Sequence, residues 1–239
     1  MKAMLLAAGF GTRLKPFTEY HPKALAIVNN KSLLQHNIQY LQQFGIYDII
    51  VNVHHFADQI IHTIKQNNGW GSTINISDET DAILETGGGL KRAAAFFKGE
   101  EELVLMNADV LTDLPLNEMV SSHKKNQPLA TLATTNRSTS RYFLFNAENN
   151  LCGWKNIKTG EEKIMRQADS LIPKAFSGLH IINTKLFSLL HHTEIKFSMV
   201  DVYLSLCDRH TILSFDHSQT KFIDVGKPES LQQAAILFK

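Results

Sequence analysis

Over the first half of the chain, short aliphatic runs alternate with helical patterns, and that alternation leaves few architectures open. Residues 3–7, 47–53, 73–77 and 103–106 are short, apolar and rich in branched side chains, as buried strands are. Between them Leu33, Leu34, Ile38, Leu41 and Phe44, and then Phe56, Ile60, Ile61 and Ile64, recur at helical spacing. Strand and helix repeated in this order predict βαβ units around a mostly parallel sheet covered on both faces.

After about residue 126 the pattern changes. Residues 128–134 read as another strand, and 142–145 with 151–154 read as a hairpin turning at Asn149-Asn150. Residues 155–175 are polar, lysine-rich and aperiodic, which predicts a loop or lid over one edge of a site, its lysines solvated. Residues 178–182 return to strand, 185–191 and 199–207 read as helices, and Pro228 opens a last helix carrying Leu231, Ala235 and Phe238. No repeat, low-complexity tract or linker divides the 239 residues. One domain over 1–239 is expected, with halves at about 1–125 and 126–239.

With 24 Lys and Arg against 23 Asp and Glu, the net charge of +1 offers no field to attract nucleic acid or an anionic membrane. Any phosphate binding must be local. Cys152 and Cys207 lie far apart and outside any CxxC pattern, so neither a disulfide framework nor a zinc site is expected, and a reducing cytoplasm fits. The opening apolar run stops at Gly11-Thr12-Arg13 without a cleavage site, and no stretch approaches the ~20 apolar residues of a membrane span. The expectation is a soluble cytoplasmic protein, a monomer or a small homo-oligomer.

The most informative segment leads out of the first strand: Leu5-Leu6-Ala7-Ala8-Gly9-Phe10-Gly11-Thr12-Arg13-Leu14-Lys15-Pro16-Phe17-Thr18, with Pro22-Lys23-Ala24-Leu25 close behind. Small residues and two glycines let the backbone fold tightly and turn its N–H groups toward an anion. A dinucleotide fingerprint would need a third glycine where Leu14 stands, and the GxxxxGK[ST] spacing of a P-loop is absent. An idle glycine turn would leave the nearby cations Arg13 and Lys23 unexplained.

Three further groups stand out. Glu85-Thr86-Gly87-Gly88-Gly89 precedes a helical stretch at 90–97, where backbone can approach a flat ring or a ribose, or where Thr86 simply caps the helix. Asn107-Ala108-Asp109 follows an apolar run, and Phe222-Ile223-Asp224-Val225-Gly226 repeats that arrangement downstream. Two such aspartates at strand ends can share a hard cation such as Mg²⁺, or each can be an ordinary cap. His54, His55 and His62 have no Cys or acidic partner at metal-ligand spacing and read as surface residues, and His191-His192 sits at a helix end that favours positive charge.

Taken together, these residues resemble the sugar-1-phosphate nucleotidyltransferase family, whose signature is L-A-A-G-x-G-T/E-R-L/M-x-P-x-T followed by P-K-P/A-L. The resemblance implies an α/β, Rossmann-like three-layer sandwich of the GT-A-like kind, with a mixed, mostly parallel central sheet and a small β-rich sugar-binding edge. It implies that Leu6, Ala7, Ala8, Gly9, Gly11 and Thr12 hold NTP phosphates, with Arg13 and Lys23 as catalytic cations. Glu85, Gly87 and Gly88 would lie against base and ribose. Asn107 and Gly178, the latter in Phe176-Ser177-Gly178-Leu179, would lie beside the sugar phosphate. Asp109 and Asp224 would be the Mg²⁺ ligands, Ala108 replacing a commoner glycine. The family's E-K-P motif, whose lysine contacts the sugar phosphate, is not matched by Glu162-Lys163-Ile164.

The implied reaction joins the nucleoside monophosphate of an NTP to a sugar 1-phosphate. The ETGGG run favours uridylyl transfer to N-acetylmuramic acid 1-phosphate, with guanylyl transfer to mannose or heptose 1-phosphate next. A noncatalytic nucleotide-sugar sensor and transfer to a nonsugar phosphate such as phosphocholine are the alternatives.

Overall fold

The computed structural model describes residues 1–190 and 195–239. The strands are β1 (Lys2–Leu6), β2 (Ile27–Val28), β3 (Lys31–Ser32), β4 (Asp48–Val53), β5 (Thr73–Asp78), β6 (Glu102–Asn107), β7 (Val110–Thr112), β8 (Ala130–Thr135), β9 (Arg141–Phe145), β10 (Leu151–Asn156), β11 (Glu161–Ile164), β12 (Ile172–Asn183), β13 (Ile212–Asp216) and β14 (Phe222–Asp224). The helices are α1 (Leu33–Gln42), α2 (Ala57–Gln66), α3 (Glu85–Arg92), α4 (Leu116–Asn126), α5 (Met199–Leu206) and α6 (Pro228–Leu237).

The main sheet runs β11-β10-β9-β12-β6-β1-β4-β5, with β8 pairing β12 and β13 alongside. Its β6-β1-β4-β5 block is parallel, and β12 closes that block antiparallel to β6. Side chains alternate across it: Ala3, Leu5, Ile49, Val51, Val104 and Met106 enter one core, while Met4, Ile50, Leu103 and Leu105 enter the other. Both faces are therefore buried, which is why these runs are continuously apolar. A third core of Leu14, Val28, Leu33, Leu111, Val225 and Ala234 clamps α6 onto the segment after β1. Among the described residues no helix is long and apolar enough to cross a membrane.

Strand order decides where a ligand can sit. The chain runs from β1 to β4 and β5 on one side, then returns to β6 on the other, so the order reverses at β1. In open α/β sheets the crevice at the carboxyl ends of such strands is the binding position. Here it lies between the loop after Leu6 and the turn after Asn107.

Three expectations are corrected. Residues 155–175 are not a loop: β10 continues to Asn156, β11 pairs with it antiparallel, and β12 already starts at Ile172. β11 stands at the sheet edge with Glu161, Glu162 and Lys163 exposed, and an edge strand rich in charge carries no apolar run to reveal it. The glycine-run helix begins at Glu85 rather than at residue 90, and residues 93–97 tighten into a 3₁₀ turn. A 3₁₀ helix, Thr184–Leu189, stands where a helix over 185–191 is expected, and His191-His192 lies outside the described residues.

Candidate active site

The glycine loop is shaped by packing. The N–H of Ala7 donates to Asn52 Oδ1 at 2.7 Å, which ties the end of β1 to the end of β4. Gly11 adopts φ +62°, and a Cβ there would lie 2.8 Å from Lys23 Cβ. Both conditions require glycine. Leu14, 1% exposed, anchors the turn in the third core, while its neighbour Arg13 is turned outward. The Arg13 guanidinium reaches Gly226, where an added Cβ would sit 3.1 Å from Nη2 and 3.0 Å from Asp224 Oδ1.

Strand pairing brings the aspartates together. β14 runs antiparallel to β7 with Asp224 opposite Val110, and the Val225 N–H donates to the Asp109 carbonyl at 2.9 Å. Asn37, buried on α1, donates to the Ala108 carbonyl at 2.9 Å and fixes the turn. Lys23 forms an ion pair with Asp109, and its Nζ lies 3.9 Å from Asp224 Oδ1. Withdrawal from water, reinforced by repulsion from Asp109, raises the Asp224 carboxyl above its ordinary value, and Lys23, Arg13 and Arg137 oppose that shift.

Two hard oxygen donors converging on one cation, with glycine leaving room beside them, fit a divalent ion such as Mg²⁺. Among the described residues no third His, Cys, Asp or Glu joins them. The remaining coordination positions would belong to water and substrate phosphates.

Beside the pair opens a cavity of about 420 Å³ lined by Leu6, Ala8, Gly9, Asn107 and Asp109 on one side and Leu84, Glu85 and Thr86 on the other. Asn52 and Glu79 also face it. Glu79 is 1% exposed, and its carboxylate accepts a hydrogen bond from Asn52 Nδ2 at 2.8 Å, the one side-chain donor to it among the described residues. Burial pushes its carboxyl above the ordinary value against that hydrogen bond. His54, read from the sequence as a surface residue, lines the same cavity, and its ring lies 5.6 Å from that of Phe10 in the glycine loop.

Gly87 and Gly88 are buried, and their N–H groups donate to the Phe197 carbonyl at 2.9 and 3.2 Å. A Cβ on Gly87 would meet the Phe197 ring at 2.5 Å, so this run docks α3 onto residues 195–197. Thr86 does not cap the helix; its Oγ1 accepts from the Met199 N–H at 2.8 Å.

On the far side of β6, Gly178 has φ +73°, and a Cβ there would lie 2.6 Å from Asn107 Nδ2. This close approach joins the two residues expected near the sugar phosphate. Ser177 Oγ lies 2.8 Å from His217 Nε2. Arg137 lies nearby: its Nη2–H donates to the Phe176 carbonyl at 2.8 Å, and its Cζ stands 5.0 Å from the Phe222 ring centre. Lys174, expected to be solvated, is 9% exposed and paired with Asp216 at 3.3 Å.

The loop, its two cations, Asn107, Asp109, Gly178 and Asp224 are thus gathered at one crevice. Glu79 lines the cavity there and Arg137 stands against Phe176 and Phe222; each lies outside any motif, so the sequence carried no signal for them.

Residues 2–238 match the nucleotidyl transferase family. A mannose-1-phosphate guanyltransferase of Yarrowia lipolytica is 30% identical over all of this chain, which spans 64% of that relative's length. Among solved structures, HddC from Yersinia pseudotuberculosis complexed with GMP-PN superposes with a TM-score of 0.80 at 22% identity, covering 100% of this chain and 99% of that one. The inositol-1-phosphate CTP transferase from T. maritima superposes at 0.79 with 17% identity, covering 100% and 95%. With its glycine loop, cation pair and facing aspartates at the strand-order reversal, the chain belongs to the nucleotidyl transferase family.

Proposed function

We propose that the chain transfers a nucleoside monophosphate from an NTP to a sugar 1-phosphate, and in its most specific form a guanylyl group to mannose 1-phosphate or a closely related sugar phosphate. The observation that carries the reading is the convergence of Lys23, Asp109, Asp224 and Arg13 beside the 420 Å³ cavity. A sensor would need a cavity but not this paired set of anion and cation groups around it. The halves divide the work: residues 1–125 hold the nucleotide and 126–239 supply most of the sugar-phosphate side.

Two observations favour guanine. The relatives matched over the whole chain carry the name mannose-1-phosphate guanyltransferase. Glu79 presents a buried carboxylate with a single side-chain donor among the described residues, and a guanine edge brings two adjacent N–H donors that a carboxylate can accept together. Uracil brings one.

The chemistry follows from charge. A sugar phosphate is largely dianionic at neutral pH, its second pKa being about 6, so its oxygen needs no general base. That oxygen attacks the α-phosphorus; the new O–P bond forms as the bond to the β-phosphate oxygen breaks and pyrophosphate leaves with the electron pair. Arg13 and the loop N–H groups hold the charge that gathers on the leaving group. Lys23, beside both aspartates, would neutralise repulsion between the two polyanions. Mg²⁺ held by Asp109 and Asp224 would supply further positive charge to phosphate oxygens.

The test is pyrophosphate release with Mg²⁺ across GTP, UTP, dTTP, CTP and ATP, each paired with mannose, N-acetylmuramic acid, glucose and N-acetylglucosamine 1-phosphates and with phosphocholine. Turnover with GTP and mannose 1-phosphate supports the specific reading. Turnover with UTP and N-acetylmuramic acid 1-phosphate replaces it with the uridylyl reaction, and silence across all pairs overturns the transferase reading.

A further inference from the structure

A cation is missing from the sugar side of the site as the sequence motifs present it. Lys163 is on the edge strand β11, paired with Glu161 at 3.3 Å and lying over the Trp154 ring at 5.8 Å. Lys174 is held by Asp216 and by Asn149 at 3.4 Å. Neither is available to a phosphate near Asn107 and Gly178.

Arg137 is. It follows β8 and is wedged between two elements of the site: its Nη2–H donates to the Phe176 carbonyl, two residues before Gly178, and its guanidinium lies over Phe222, two residues before Asp224. A guanidinium carries five N–H donors. One is met by protein here, and the enclosed Nε–H has no partner among the described residues. Among the described residues no carboxylate pairs with Arg137 directly; Asp224 acts on it at longer range. His217, a titratable neighbour, is lowered to about 4, chiefly by its own burial, and so carries no charge at neutral pH. A half-enclosed guanidinium that stays charged, has donors to spare and lacks an anionic partner is built for an anion that arrives with substrate.

We propose that Arg137 binds the phosphate of the incoming sugar 1-phosphate, filling the role that Lys163 on β11, paired with Glu161, does not fill. This rests on the transferase reading above. Held from one side by Phe176 and Phe222, the guanidinium can present its free edge to phosphate oxygens beside Asp224.

The test is steady-state kinetics of Arg137→Gln and Arg137→Lys, with Arg141→Gln as an exposed control on the same stretch. The sugar 1-phosphate is whichever of the mannose and N-acetylmuramic acid compounds the wild type uses. Losing hydrogen bonds to a charged group, Arg137→Gln is expected to raise the KM for sugar phosphate on the order of 10- to 100-fold. The NTP KM should stay within about two-fold, Arg137→Lys should recover part of the loss, and Arg141→Gln should behave as wild type. If both KM values rise together, or the sugar-phosphate KM stays put in both Arg137 variants, Arg137 is a structural prop and the proposal is overturned. A wild type silent with every sugar phosphate overturns instead the functional reading on which it rests.

Discussion

Lys23 and Asp109, 86 positions apart in the chain, form an ion pair, and the same ammonium lies 3.9 Å from Asp224. One side chain therefore balances both carboxylates of the candidate metal site. Chelation is expected to abolish turnover while leaving the melting temperature where it was. Lys23→Met should separate the two effects: without Mg²⁺ it loses about 1 kcal/mol, or about 2–4 °C, and added Mg²⁺ reverses the loss. Thermal melts with and without chelator check this; a Lys23→Met melt indifferent to Mg²⁺ refutes it.

Asp109→Asn and Asp224→Asn keep the side-chain volume and remove the charge. Each is expected to cut turnover at least about 100-fold while circular dichroism stays native, because polyanion chemistry depends on charge placed at the reacting phosphates. Near-normal activity in either variant would remove that residue from the metal site.

Gly11→Ala meets two obstacles, a positive φ and a Cβ 2.8 Å from Lys23 Cβ. The left-handed backbone alone costs about 1–2 kcal/mol. The displaced Lys23 should weaken NTP binding as well. Gly178→Ala faces the same backbone cost and pushes on Asn107, so its effect should fall on sugar-phosphate KM. Parallel KM measurements for the two substrates decide whether the two glycines serve opposite sides of the site.

Glu79→Gln retains the shape that accepts from Asn52 and loses the carboxylate facing the cavity. If that carboxylate reads guanine, kcat/KM for GTP should drop by about 10- to 1000-fold while weaker reactions with other NTPs change little. An equal fall for every NTP would mark Glu79 as a support for Asn52 alone.

Stability should fall in acid for a definite reason. Burial lowers His180 to about 3, and burial together with a neighbouring cation lowers His123 and His217 to about 4. In the unfolded chain each titrates near 6.5. Between those values the unfolded state binds more protons, so stability is whole above pH 6.5 and declines as pH falls toward 4. The slope is up to about 1.4 kcal/mol per pH unit for each histidine. Urea midpoints measured from pH 8 to pH 4.5 check it, and His180→Gln should flatten the slope.

Much of the site was legible because its chemistry is concentrated in contiguous segments. The loop from Leu6 to Arg13 and the aspartates at 109 and 224 declare themselves through neighbours of defined type at defined offsets. Gly87 and Gly88 also have a packing reason that the sequence does not separate from a binding one: they admit Phe197 and residue 195 against α3. Residues 155–175 hid the edge strand β11, because an edge strand needs no apolar run.

The βαβ order, the alternation of side chains into two cores, the tight turn at Gly11 and the supply of cations next to it are all written in the sequence, since each follows from local periodicity or from what a glycine backbone permits. Which distant charges meet is settled only once the chain has folded. The β14–β7 register sets Asp224 beside Asp109, the chain reversal at β1 sets both beside the glycine loop, and the packing of residue 137 between Phe176 and Phe222 turns an isolated arginine into part of the site. Such partnerships depend on strand register and on burial, which fix a side chain's neighbours in space, and neither quantity is encoded in the residues adjacent to it along the chain.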